Sequence, residues 1–168
     1  ESLPDIGTLL SAIPEGSDIV LLNPNTDGME QIAAALAGRT GVDSIHILTH
    51  GEAGSIYVGS SMLTLASMDG DHADEISVIK AALSENADIL IYGCDVAAGD
   101  EGQAFITHLA DLTGADVSAS IDATGAADLG GDWTLERSIG QVDTTAIEAA
   151  DWHRVLAQTT INASGGTN

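Results

Sequence analysis

The chain alternates near-continuous aliphatic runs with stretches whose apolar residues fall at helical spacing. The runs "SDIVLLN", "DSIHILTH", "DILIYGC" and "ADVSAS" are rich in Ile, Leu, Val and Ala, the pattern of strands buried on both faces of a parallel sheet. Between them, "MEQIAAALAGRTG" predicts an Ala-rich helix stopped by Gly38 and Gly41. "GDHADEISVIKAALSENA" predicts a helix with Ile76, Ile79, Ala82 and Leu83 on its apolar face and Asp69 or Asp71 as N-cap. "GDEGQAFITHLADLTG" predicts a third, with Phe105, Leu109 and Leu112 on one face and Gly114 as its stop. The pieces "SIYVG" and "SMLTL" alternate around Gly59-Ser60 and predict a β-hairpin. Past Ser120, glycines and small residues predict loop and hairpin around a last extended piece, "DWTLERS".

Strands alternating with helices predict an α/β fold with a mainly parallel sheet and right-handed crossovers. In such sheets, ligands and catalytic groups collect beyond the carboxyl ends of the strands. Two of the aliphatic runs end on residues able to do chemistry, one in His50-Gly51 and the other in Gly93-Cys94. If these strands are neighbours, both pairs share one sheet edge. A thiol of ordinary pKa, about 8.5, is mostly protonated at neutral pH, and a neighbouring imidazole can take that proton. Gly93 lets a substrate approach the backbone, Gly51 presents an unobstructed N–H to a developing oxyanion, and the Cys94 N–H is the natural second donor. The opposing reading of Cys94 alone is a small buried apolar group.

The other histidines carry weaker signals. His46 shares a strand with His50 and reads as a satisfied core histidine; His108, between Phe105 and Leu112, is expected to be partly buried; His72 and His153 read as surface or loop residues. A zinc site from His46, His50 and Cys94 lacks the short ligand spacing of such sites, so no metal is assigned. Neither a G-x-S-x-G elbow nor a G-x-G-x-x-G phosphate loop occurs. Trp133 reads as a plug at the sheet edge more readily than as a substrate platform, and Trp152 as packing the C-terminal segment back on the domain.

Composition narrows the partners. The 168 residues, 44% hydrophobic, suffice for one core, and with one Phe, two Trp and two Tyr the aliphatic side chains must build it. Twenty-six acidic residues against four basic ones give a net charge of −22, which argues against nucleic acid and anionic membranes. This acidity reads first as a solubility or salt adaptation and second as calcium sites, and no stretch matches an EF-hand loop. The single cysteine excludes an internal disulfide. No apolar run approaches the roughly 20 residues of a membrane-spanning helix. The start, "ESLPDIG", shows no signal-peptide pattern and leaves export unread, while the polar, glycine-ended "AQTTINASGGTN" reads as a linker.

The pair "IHILTHG" and "DILIYGC" resembles the caspase-like cysteine peptidases, in which one aliphatic strand ends in His-Gly and another in Gly-Cys or Ala-Cys. The stretches from "LLNPNTDGMEQ" to "SSMLT" and from "YGCDVAAGDEG" to "GGDWTLE" are similar to an uncharacterised bacterial domain of very large, repeat-rich surface or secreted proteins, including adhesin-like chains. The resemblance implies a three-layer α/β sandwich, its central sheet flanked by helices. The domain would span residues 1–156, its first strand missing or upstream, with residues 157–168 as linker. It implies His50 and Cys94 as catalytic dyad and Gly51 with Cys94 as oxyanion donors. The substrate is then a peptide, the chain itself included, cut between Trp152 and Gly166. No cofactor is required, and calcium enters as a regulator only. Asp95 and Asp122, in loops after the active-site strands, are candidates for a substrate pocket that, as a buried carboxylate, would favour Arg or Lys; the opposing reading is a pair of solvated loop or turn aspartates. The implied setting is a monomeric module of a longer bacterial surface or secreted protein, without nucleic-acid partners or membrane insertion. The alternative is a catalytically silent caspase-like module that docks or anchors an adhesin.

Overall fold

The computed structural model describes residues 3–157. In chain order the elements are α1 (Ile6–Leu10), α2 (Gly28–Leu36), β1 (Val42–Leu48), β2 (His50–Glu52), β3 (Ser55–Val58), β4 (Ser61–Thr64), α3 (Leu65–Asp69), α4 (Ala73–Ala82), β5 (Leu83–Tyr92), α5 (Gly99–Thr113), β6 (Asp116–Ala119) and β7 (Arg137–Ile139). The main sheet has the order β1-β5-β6-β7, with β1, β5 and β6 parallel and β7 antiparallel to β6. A small antiparallel sheet, β2-β3-β4, springs from the end of β1. The fold is therefore α/β with a mixed, mostly parallel sheet.

β5 is the centre of this architecture because its residues Ala87–Tyr92 are all buried, which only a strand covered on both faces allows. The period of two then sorts its side chains. Ile89 and Ile91 join Ile45, Ile47 and Val117 in a cluster roofed by Met29 and Leu36 of α2, Met68 of α3, Ile76 and Ile79 of α4, and Phe105, Ile106 and Leu109 of α5. Leu90 and Tyr92 point the other way, into a second cluster with Leu9 of α1 and with Ile147, Ala149, Trp152 and Leu156. Each aliphatic side chain fully buried in these clusters contributes about 1.5–3 kcal/mol. Helices thus cover one face, whereas α1 and irregular C-terminal chain cover the other.

Local chemistry explains the helix ends. The Asp27 carboxylate accepts from the N–H groups of Met29 and Glu30 at 2.8 and 3.1 Å and starts α2. Gly114, at φ 75, ends α5 in the left-handed conformation, its N–H bonding Ala110 O at 2.8 Å.

Several expectations are corrected. "SDIVLLN" forms no strand: residues 18–23 belong to no element, and Ile19, Val20 and Leu21 are 49%, 52% and 59% exposed. A run of this composition is buried only when a neighbouring strand pairs with it, and among the described residues no strand pairs with it; of its residues, Leu22 packs on the core. The helix expected from Gly70 starts at Ala73, with His72 at the N-cap position and no side-chain cap, and Leu83 onward joins β5. Asp69 instead meets His108 Nε2 at 2.8 Å. His72, expected at the surface, is 7% exposed, with the carboxylates of Asp27 and Glu75 4.0 and 3.9 Å from its ring nitrogens. Trp133 packs between Tyr92 and Trp152 on the sheet face, with β7 beginning only at Arg137, so it does not plug an edge.

Candidate functional site

β1 and β5 run side by side in register from Ser44↔Asp88 to Leu48↔Tyr92, and the ladder continues one step as Thr49 N–H donates to Tyr92 O at 2.9 Å. His50-Gly51 and Gly93-Cys94 therefore leave the sheet together at its carboxyl edge. The two turns touch backbone to backbone. A Cβ on Gly93 would stand 3.1 Å from Thr49 O and 3.3 Å from Gly51 N, and one on Gly51 would stand 2.4 Å from a Val96 methyl and 3.1 Å from Cys94 O. A side chain at Gly51 would force Val96 to move, and one at Gly93 would fit only if its neighbours gave way by a few tenths of an ångström.

Cys94 is 2% exposed. Its Sγ accepts the Thr124 N–H at 3.2 Å and donates to Thr124 O at 3.8 Å. Burial pushes the thiol above its ordinary pKa and the charges of Asp95 and Asp122 push it the same way, while the backbone hydrogen bonds with Thr124 and Leu156 pull against them. His50 is 7% exposed and borders an open cleft formed with Pro24, Tyr57, Met62 and the turn Gly59–Ser61. Its Nδ1 is buried and has no hydrogen-bond partner among the described residues. No hydrogen bond joins His50 to Cys94 among these residues.

A segment of the chain itself closes over Cys94. Arg154 O accepts the Ala126 N–H at 2.7 Å, Leu156 N–H donates to Thr124 O at 2.9 Å, and the Cys94 N–H donates to Leu156 O at 3.4 Å. Val155 pairs with Gly125 and Ala157 with Gly51 in single bridges. A Cβ on Gly125, at φ 136, would lie 2.2 Å from Arg154 O, so the strap seats only against glycine. Trp152, wholly buried, anchors the segment through Nε1–H donated to Pro4 O at 3.1 Å.

Sequence-predicted residues thus divide. His50, Gly51 and Cys94 come to one edge. Asp95 and Asp122 also come together, Asp95 N–H donating to Asp122 O at 2.8 Å, yet both side chains are exposed and form no buried carboxylate. Asp122, Asp132 and Glu136 bring one carboxylate oxygen each within 4.8 Å of the others, all exposed, an arrangement common on a chain this acidic. Trp152 and Leu156 are buried in the core, while His153 and Arg154 between them are exposed and Val155 and Ala157 half-buried, so this part is anchored to the core and not a stretch outside it; the rest of the expected cleavage region, and all of the expected linker beyond Ala157, fall outside the described residues. Thr124, Gly125 and Leu156 complete the site without a motif of their own. Their one signal was a glycine among small residues and an apolar "VL" shortly after Trp152.

Neither the curated proteins nor the solved structures contain a match to the chain. A family model does match, over residues 1–156, and the chain belongs to that family, Domain of unknown function (DUF4347).

Proposed function

We propose that the protein is a caspase-like cysteine endopeptidase with a His50–Cys94 dyad that processes the bacterial surface or secreted protein carrying it. The observation that supports this most is the main-chain carbonyl of Leu156 on the Cys94 N–H, beside Gly51, where an acyl-transfer oxyanion needs its donors. In this mechanism Cys94 Sγ attacks a peptide carbonyl carbon, His50 accepts the thiol proton and returns it to the leaving amine, and the Cys94 and Gly51 amides hold the oxyanion. One oxyanion donor is worth about 10²–10³ in rate. Because burial pushes the thiol up, the closed site holds it protonated at neutral pH, and His50 must take the proton during attack. Calcium belongs to this reading as a regulator, with no part in the bond chemistry.

A second reading, the silent docking or anchoring module, is favoured by the burial of Cys94 and its upward-pushed thiol. Intact mass over time separates the two. A longer chain carrying both flanks should yield fragments that vanish in Cys94→Ala and His50→Ala. A chain that stays whole with calcium present, and whose Cys94 resists a small electrophile, would establish the silent module.

A further inference from the structure

We propose that the bond this site cuts is Leu156–Ala157 of its own chain, and that the residue before the cut is selected by an apolar pocket for leucine; this rests on the peptidase reading above. Four observations converge on that bond. Within the strap, Arg154 O is already held by Ala126 N–H, and Leu156 O is the one that meets the Cys94 amide. Ala157, on the other side of the same peptide, pairs with Gly51. The bond therefore lies between the Cys94 amide, which already meets Leu156 O, and Gly51, which pairs with Ala157. The Leu156 side chain is wholly buried among Leu9, Leu90, Tyr92, Ile147 and Trp152, which leaves no place for a charged head group. Finally, two of the buried polar atoms without a partner among the described residues are Thr124 Oγ1, on the residue whose backbone meets the Cys94 thiol, and His50 Nδ1, just past the end of the neighbouring strand. Buried polar atoms are rarely left unpaired, and both are free to serve in the reaction.

The step balances with water as the only co-reactant. Cys94 Sγ bonds to the Leu156 carbonyl carbon as its proton moves to His50; the C–N bond to Ala157 breaks and the proton passes to the Ala157 amine. Water then hydrolyses the Leu156 thioester, giving a Leu156 carboxylate and regenerating the thiol. Since Trp152 and Leu156 are buried in the core, the new carboxyl end stays in the site. The domain is then a single-turnover enzyme, and everything from Ala157 onward is released.

The 168-residue chain tests this directly, because the cut separates residues 157–168 from the rest. Mass spectrometry should find a product starting at Ala157 that is lost in Cys94→Ala and His50→Ala. Leu156→Lys should slow the cut by at least about a hundredfold, since it buries an unpaired charge, whereas Leu156→Met, nearly volume-conserving, should stay within about tenfold. Gly125→Val, which unseats the strap, should expose Cys94 to a peptidyl electrophile ending in Leu and leave it inert to one ending in Arg. A Cys94-dependent cut elsewhere would overturn this proposal and keep the peptidase. Labelling without any cut would do the same. Neither cutting nor labelling would overturn both.

Discussion

The hydroxyl of Tyr92 shows how single buried residues set protonation here. It accepts the Ile147 N–H at 2.7 Å and lies 3.0 Å from His46 Nδ1, with the two rings stacked at 5.9 Å. Its one proton has no other acceptor among the described residues, so it goes to Nδ1 and His46 carries its own proton on Nε2. Burial agrees with both states. It drives Tyr92 up to about 12 against the Ile147 hydrogen bond, and His46 down against the charge of Asp88. Tyr92→Phe leaves the Ile147 N–H and the imidazole unpaired and should cost about 1–3 kcal/mol in urea unfolding at pH 7. The sign of the pH effect follows. An imidazole whose folded pKa is depressed stabilises the protein fully above the unfolded value of about 6.5, and that stability is lost as pH falls through the folded value. The urea midpoint should therefore decline below pH 6.5 less steeply in His46→Gln than in wild type; equal slopes would refute the assignment.

Among the elements, α2 depends on one residue that sequence spacing did not single out. Asp27 caps the helix through Met29 and Glu30 N–H and also accepts from Ser61 Oγ at 3.1 Å, tying α2 to the β3–β4 hairpin. Burial alone would raise its carboxyl, but the hydrogen bonds from Glu30, Ser61 and Met29 and the charge of His72 outweigh it, and the pKa falls below the ordinary carboxylate value. Asp27→Ala should cost about 0.5–2 kcal/mol by urea unfolding, and Asp27→Asn, which keeps the acceptor, less. The gap between wild type and Asp27→Ala should be full above about pH 4 and narrow as pH falls through the lowered pKa; a gap unchanged down to pH 2 would rule out a charged cap. Elements were legible where a pattern reports its own burial, as in β5, α2 and α5. "SDIVLLN" was misread because aliphatic content says what a strand needs and not whether a partner strand is there to supply it.

For the whole molecule, the net charge of −22 sets the electrostatics. Like charges repel across a compact surface, and salt screens them over about 10 Å at 0.1 M. Raising sodium chloride from about 0.01 to 1 M should therefore raise the thermal midpoint by several degrees, since the Debye length contracts from about 30 to 3 Å. An unchanged midpoint would mean that the carboxylates lie too far apart to matter. Calcium chloride at matched ionic strength tests the regulator role separately. An extra shift beyond sodium would mark a bound divalent ion, and its absence would return the acidity to solubility alone.

The sequence by itself determined that β1 and β5 are strands and that they end on His50-Gly51 and Gly93-Cys94, because these follow from local periodicity and from where an aliphatic run stops; that the two strands are neighbours, and so share one edge, came from the fold. Only the tertiary structure decided that Leu156 and Ala157 lie between Cys94 and Gly51, and that Thr124 and Gly125 receive the strap. Those contacts join the loop after β6, the C-terminal segment and two strand ends, each far from the others along the chain. No local pattern encodes them, since they come from how irregular backbone satisfies its hydrogen bonds against a finished sheet.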